Sequence, residues 1–373
     1  MWAPDGRASL MIPASNSPPD SGAAHPSAPP TMCTAEAQPA TGPDVPVDPA
    51  YENNDDADSA LGDTTSVDDQ LSTFSASLTS SVVNYPFQNG RRYHAYKDGS
   101  YILPNDEPEQ DRLDLAHAMT TKLTANRLHL TPLPDHFSGR VLDIGCGTGI
   151  WSICMGDQFP DAEILGNDLS PVQPSWVPPN VKFEIDDIEN EWSYSQRFDF
   201  IFSRYLAGAI GDWQRLVRRA YANLAPGGWV EFQDYDSVYY SDDGTLTDEH
   251  DMKKWLDTLR LACLDAKRAC DPGPRLEGYV KEAGFVNVHH EVFKVPVGGW
   301  PKDKSLKQCG LMNLIQSLEG LEAFSYRIFT DMLKWEVDEV NIFLAKVRND
   351  LKNKNIHAYY NYHVVYAQRP EGS

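Results

Sequence analysis

The stretch Arg140-Val141-Leu142-Asp143-Ile144-Gly145-Cys146-Gly147-Thr148-Gly149-Ile150-Trp151 decides how the rest of the chain is read. Val141 to Ile144 is a short apolar, β-branched run, the pattern of a central strand buried on both faces. Three glycines follow at alternate positions, and the apolar run from Ile150 to Met155 then opens a helix. Strand, glycine turn and helix make the nucleotide-cradling unit of an open α/β sheet, because glycine lets the backbone approach a ligand without a Cβ in the way. The spacing narrows the choice. Gly-x-Gly-x-Gly, with Asp143 two residues ahead, differs from the Gly-x-Gly-x-x-Gly of dinucleotide-binding sheets, so a nicotinamide dehydrogenase fits poorly.

An acid at the strand tip would repel a pyrophosphate. It would attract the cationic amino-acid end of S-adenosylmethionine (SAM). Downstream, Ala162 to Asp168 reads as a second strand tipped by Asp168, nineteen residues past Gly149. A carboxylate there accepts the hydroxyls of a ribose. Val181 to Asp187 reads as a third strand, which sets the Asp187 carboxylate and the Ile188 N–H where an adenine ring would lie. Phe198 to Arg204 is a fourth, ending beneath the reaction centre. A helix from Trp213 to Leu224 stops at Pro226-Gly227-Gly228, and Trp229 to Asp234 is the fifth strand. Ligands of open α/β sheets bind outside the carboxyl ends of the strands, so acids at three successive tips form a specific constellation. The expected cofactor-binding set is Asp143, Gly145, Cys146, Gly147, Thr148, Gly149 and Trp151 of the opening stretch, with Asp168, Leu169, Asp187, Ile188 and Arg204. Arg204, Tyr205, Asp234 and Tyr235 lie at strand ends suited to shaping an acceptor site. No residue stands out as a catalytic base.

The net charge of −22 argues against a nucleic-acid backbone as a direct partner. Half of it falls in residues 1–84, where twelve acids face one base, Arg7, giving −11. That segment is rich in Pro, Ser, Ala and Asp with few large apolar residues, so it is expected to be a disordered acidic tail. No apolar run approaches the roughly 20 residues of a membrane span, and the N-terminus lacks a secretory pattern. The six cysteines show no Cys-x-x-Cys pair, so reduced thiols and no metal are expected.

Residues 85–130 read as an N-terminal lid, 138–240 as the cofactor core, 241–355 as a helical substrate region and 356–370 as the closing strand of a domain spanning 85–373. In the lid, Asn89-Gly90 and Asp98-Gly99 are turn dipeptides, with Tyr96 and Tyr101 among the aromatic and basic residues around them. Arg112 and Asp114 on the following helix either bond across to the glycine loop or are solvated. Helices are expected over Asp251–Cys270, Arg275–Ala283, Ser305–Leu333 and Trp335–Leu351, and strands over Phe285–Lys294 and Ile356–Gln368. His289 and His290, adjacent on a strand, face opposite sides. His357 and His363 share a face. Trp300, Trp335 and Phe324 are either core packing or the lining of a substrate cavity.

The blocks NGRRYHAY (Asn89–Tyr96), LPNDEPEQDRLDL (Leu103–Leu115), VLDIGCGTGIW (Val141–Trp151), NDLSPVQPSWVPPN (Asn167–Asn180), FEIDDIENEW (Phe183–Trp192), LAPGGWVEFQD (Leu224–Asp234) and IHAYYNYHVVYAQRP (Ile356–Pro370) occur in that order. In them the chain resembles the fungal LaeA-like, or TAM-domain, SAM-dependent methyltransferases over about residues 85–370. The resemblance implies an α/β class I methyltransferase (Rossmann-like) fold. Its sheet is seven-stranded and mostly parallel, with the last strand inserted antiparallel and helical cap insertions. It implies SAM as cofactor and methyl transfer to a small secondary metabolite or a protein. The family includes a nuclear regulator of secondary metabolism and development that works with velvet-domain proteins. The alternative is therefore a regulatory interaction protein, a velvet-type or methyltransferase-complex partner, that keeps SAM binding with little turnover. The cytoplasm or nucleus is the expected location, the nucleus through the resemblance alone, because Arg91-Arg92 and Lys267-Arg268 are too short for a basic nuclear signal.

Overall fold

A computed structural model describes residues 42–49, Tyr51, 85–94 and 103–372. The rest of the acidic segment lies outside the described residues, as do Asp98-Gly99, Tyr96 and Tyr101. Asn89 and Gly90 join β1 (Phe87–Gln88) to β2 (Arg91–Arg92) with φ of 51° and 75°. Two positive φ values give the hairpin turn whose twist matches its strands. α1 (Glu107–Leu123) begins at Asp106, whose carboxylate accepts the Glu109 N–H and two bonds from Arg91, at 2.6 and 2.7 Å.

The main body follows in the order β3 (Arg140–Ile144), α2 (Ile150–Gln158), β4 (Glu163–Asp168), β5 (Val181–Ile185), β6 (Phe198–Arg204), α3 (Trp213–Asn223) and β7 (Leu224–Tyr235). Then come α4 (Asp251–Asp265), α5 (Leu276–Glu282), β8 (Val286–Pro296), α6 (Lys304–Tyr326), α7 (Val337–Lys352) and β9 (Tyr359–Gln368). The seven strands of the sheet run β5-β4-β3-β6-β7-β9-β8, with β9 antiparallel to both neighbours. Ile144 at the end of β3 sits opposite Asn167 of β4 on one side and Ser203 of β6 on the other. The chain thus winds outward in both directions from β3, which makes the end of β3 the switch point where such sheets bind ligands.

Both faces of the central strands are covered, so successive side chains enter opposite cores. Leu142 and Ile201 pack with Trp213, Val217 and Val230 on one face. Val141 and Phe200 pack with Trp151, Met155 and Ile164 on the other. A third cluster joins the helical region: Trp255 and Leu259 of α4, Leu321 of α6, and Val340 and Leu344 of α7.

The structure departs from the sequence reading in several places. β7 starts at Leu224 rather than Trp229 and passes through Pro226-Gly228 with a register shift, so the proline and glycines bulge the strand rather than precede it. α6 ends at Tyr326 and gives way to a π-helical stretch, Arg327–Met332. Cys263 and Cys270 form a disulfide, against the expectation of reduced thiols. α4 ends at Asp265, and Lys267 turns the chain back with φ of 58°, which carries Cys270 to Cys263. Part of the acidic segment is tied down: the Asp48 N–H donates to Trp300 O and the Lys302 N–H to Pro46 O, both at 2.7 Å, and Asp48 pairs with Lys307. His290 Nε2 lies 2.9 Å from His363 Nδ1 across β8 and β9, while His357 Nδ1 bonds Asp243 at 2.5 Å. Among the described residues no cluster of three or more His, Cys, Asp or Glu is placed to hold a metal. No helix there is long and apolar enough to cross a membrane.

Candidate active site

One cavity opens at the carboxyl ends of β3, β4, β5 and β6. Eleven of the twelve residues expected to bind the cofactor line it, Gly149 being the exception. Gly149 caps α2 with φ of 78°, and a Cβ there would lie 2.4 Å from Phe183 Cζ, so its role is to let the loop pack on β5. Gly147 faces the opening: its φ is 54°, and a Cβ would meet only Leu113 Cδ1, at 3.6 Å. Trp151 fixes the helix behind the loop, stacked on Phe202 with ring centres 3.7 Å apart.

Each acid has a distinct environment. Asp143 is 3% exposed and accepts one side-chain hydrogen bond among the described residues, from Ser152 Oγ at 2.6 Å. Burial pushes its pKa up to about 7, against the lowering effect of Ser152 and Arg204. Asp168 accepts the N–H groups of Gly147 and Ser170, each at 2.9 Å, which ties the glycine loop to β4, and burial raises its pKa as well. Asp187 follows β5 and accepts the Glu189 N–H at 2.8 Å. Asp114 does bond across to the glycine loop, accepting Thr148 Oγ1 at 2.7 Å. Arg112 points the other way, to Glu109 and Gln316.

These residues fit SAM. A buried carboxylate with a single hydroxyl partner is an energetically costly group awaiting a cation. The open face of the glycine loop admits a ligand backbone-close. The remaining wall, including Leu113, Ile150, Val172, Ile188 and Phe202, is apolar enough for a flat base.

A second cavity lies beside the first, between α1, α4, α6 and the ends of β7 and β9. It is lined by Tyr235, Tyr239, Trp255, Phe324 and Tyr360, among others. The two share Leu113 and Tyr205 as a common wall. Tyr205 has φ of 59°, unusual for a bulky residue, and its hydroxyl lies 2.5 Å from Thr120 Oγ1. Such strain persists where the surroundings over-determine it, and it concentrates at functional positions. Tyr235 and Phe324 line this cavity, whereas Trp300 is 2% exposed and donates to Ala358 O, and Trp335 packs edge-on against Phe329. Asp234 is also buried, accepting the Leu206 N–H at 2.8 Å, so it shapes the β6–α3 loop rather than the cavity wall.

Sequence reasoning missed His117. Its Nδ1 lies 2.8 Å from Arg204 Nη2, and burial, reinforced by the Arg204 charge, holds its pKa down to about 3. A neutral imidazole therefore accepts from the guanidinium and steadies Arg204 at the wall of the first cavity. The signal was the helical spacing of Leu113, His117 and Thr120 on α1, which puts all three on one face.

A family model described as a methyltransferase domain matches residues 115–290. The chain is 48% identical over 295 residues to methyltransferase pytC of Aspergillus terreus, covering 79% of this chain and 91% of that one. It is 37% identical over 294 residues to the secondary metabolism regulator LAE1 of Cochliobolus heterostrophus, covering 77% and 95%. To protein-methionine methyltransferase laeA of Emericella nidulans it is 33% identical over 286 residues, covering 76% of each.

Proposed function

The chain belongs to the fungal LaeA-like family of SAM-dependent methyltransferases linked to secondary metabolism, and from that premise we propose that its acceptor is a small molecule held in the second cavity. The observation that carries this is the shared wall of Leu113 and Tyr205 between the two cavities. A concave, aromatic-lined recess beside a cofactor cradle suits a compact ligand better than a folded protein surface.

In this reading Asp143 holds the amino-acid end of the cofactor, Asp168 the ribose, and Asp187 with Ile188 the adenine. The glycine loop supplies close backbone approach, and Arg204, steadied by His117, closes the wall nearest the acceptor. When bound, SAM would supply a methyl group made electrophilic by its positive sulfur, with a neutral thioether as the leaving group. The chain's own contribution is to orient the acceptor and exclude water, with Tyr205 fixed between the two sites. Incubation of the purified protein with methyl-labelled SAM and a metabolite extract tests this. Label is expected in the organic-soluble fraction, and label confined to protein would refute it.

A second reading rests on the relatives named as regulators. There the chain acts through a protein partner such as a velvet-domain protein, in the nucleus, and catalysis is secondary. Rescue of a deletion phenotype by an Asp143→Ala variant that no longer binds SAM would favour that reading over the first.

A further inference from the structure

We infer that the second cavity takes a conjugated oxyacid (a planar carboxylic acid, phenol or enol) in its anionic form, with Arg260 and three tyrosine hydroxyls donating to its oxygen. The inference rests on the methyltransferase reading and names the acceptor of that same site.

The polar inventory of the cavity is one-sided. Among the residues lining it there is no Asp, Glu or His, in a protein whose net charge is −22. Of its two arginines, Arg112 is fully engaged, with bonds of 2.6 and 3.0 Å to Glu109 and 2.8 Å to Gln316. Arg260 is not. Its ion-pair partner Asp271 is 3.6 Å away, beyond hydrogen-bond range, and also holds Arg275. The Arg260 Nε is buried with no hydrogen-bond partner. The hydroxyls of Tyr235, Tyr239 and Tyr360 make no hydrogen bond among the described residues, and burial raises all three pKa values, so they stay protonated as donors. The Ser237 hydroxyl is already used, donating to the Cys270 carbonyl.

A wall of donors with no acceptor base selects a ligand that brings its own acceptor oxygen. The aromatic lining of Trp255 and Phe324 favours a flat one. Nothing on the wall can take a proton from a neutral alcohol, so the acceptor must enter already ionised. The acceptor oxygen then uses a lone pair to form the new O–CH3 bond. The methyl–sulfur bond of the donor breaks with its electron pair left on sulfur, and no proton leaves the acceptor. The product is a methyl ester or methyl ether.

The test is calorimetric binding of 2-naphthoate and its uncharged isostere 2-naphthamide to the full-length protein without cofactor, with SAM binding measured on the same samples. Naphthoate is expected to bind about ten- to a hundredfold tighter, the worth of a charge-assisted hydrogen bond. Arg260→Gln should abolish that preference, and Tyr239→Phe, which keeps the cavity's shape, should reduce it severalfold, with naphthamide, whose carbonyl accepts only neutral-strength hydrogen bonds, weakened less than naphthoate in both. Equal binding of the two probes, no naphthoate binding at millimolar concentration, or a preference that survives both substitutions overturns the inference. Wild type that binds SAM but shows no preference refutes the acceptor class alone, whereas failure to bind SAM refutes the reading beneath it.

Discussion

Binding of SAM should depend on pH through Asp143. In the free protein this carboxyl is buried with one hydroxyl partner, and its pKa is raised to about 7. An ammonium placed against it would hold it ionised, so binding releases a proton wherever the free carboxyl is protonated. About one-tenth is ionised at about pH 6 and about nine-tenths at about pH 8, so affinity should rise about tenfold across that window, with about half a proton released at pH 7. Calorimetry in two buffers of different ionisation enthalpy measures both quantities. Asp234 and Asp236 also have pKa values raised to about 7, but neither lines the cofactor cavity, so they should not respond to the ligand. Asp143→Asn should bind more weakly and lose most of the slope, what is left belonging to Asp168, the other cavity acid whose pKa burial raises, and comparison with wild type cancels titration of the ligand itself. An undiminished slope in Asp143→Asn, or a wild type with none, would refute the assignment of Asp143 to the cofactor's cation.

Gly149→Ala forces a side chain into the left-handed region and sets its Cβ 2.4 Å from Phe183 Cζ. The backbone alone costs about 1–2 kcal/mol, so thermal melting should show a clear loss of stability together with weaker SAM binding. Glu231 on β7 is fully buried and accepts the Leu130 and Thr131 amides at 2.7–3.0 Å, clamping the segment that leads into β3. Glu231→Ala should cost about 3–5 kcal/mol in denaturant unfolding, because it strands buried donors. His117 and His363 each have pKa values held down to about 3, mainly by burial. Their unfolded-state pKa is near 6.5, so the stability they contribute is complete above about pH 6.5 and is lost as pH falls towards about 3, at up to about 1.4 kcal/mol per unit per group. The melting-temperature gap between wild type and His117→Asn should therefore narrow as the solution is acidified below about pH 6.5.

The cofactor half of the molecule was legible because its signals are local. An apolar run, a glycine turn and an acid at each strand tip are read within a dozen residues, and the parallel register then brings Asp143, Asp168 and Asp187 to one edge. Gly149 shows the limit: its spacing belongs to the motif, but Phe183, which determines why it is glycine, lies on another strand. The second cavity was legible only in part: Tyr205 and Tyr235 at strand ends and Phe324 on α6 were readable as candidates, but their assembly with Tyr239, Arg260 and Tyr360 was not. Tyr205, Tyr239, Arg260, Phe324 and Tyr360 come from five separate segments and share a wall only after α4 and α6 pack beside the sheet. The Cys263–Cys270 pairing depends on where α4 stops, which helical periodicity placed five residues too late.

The most direct test of small-molecule methyl transfer is the fate of tritium from methyl-labelled SAM in a fungal extract supplied with the protein. Label should accumulate in the organic-soluble fraction with wild type and fall to background with Asp143→Ala. Label that enters only protein, or that reaches the organic fraction equally with the variant, would contradict it.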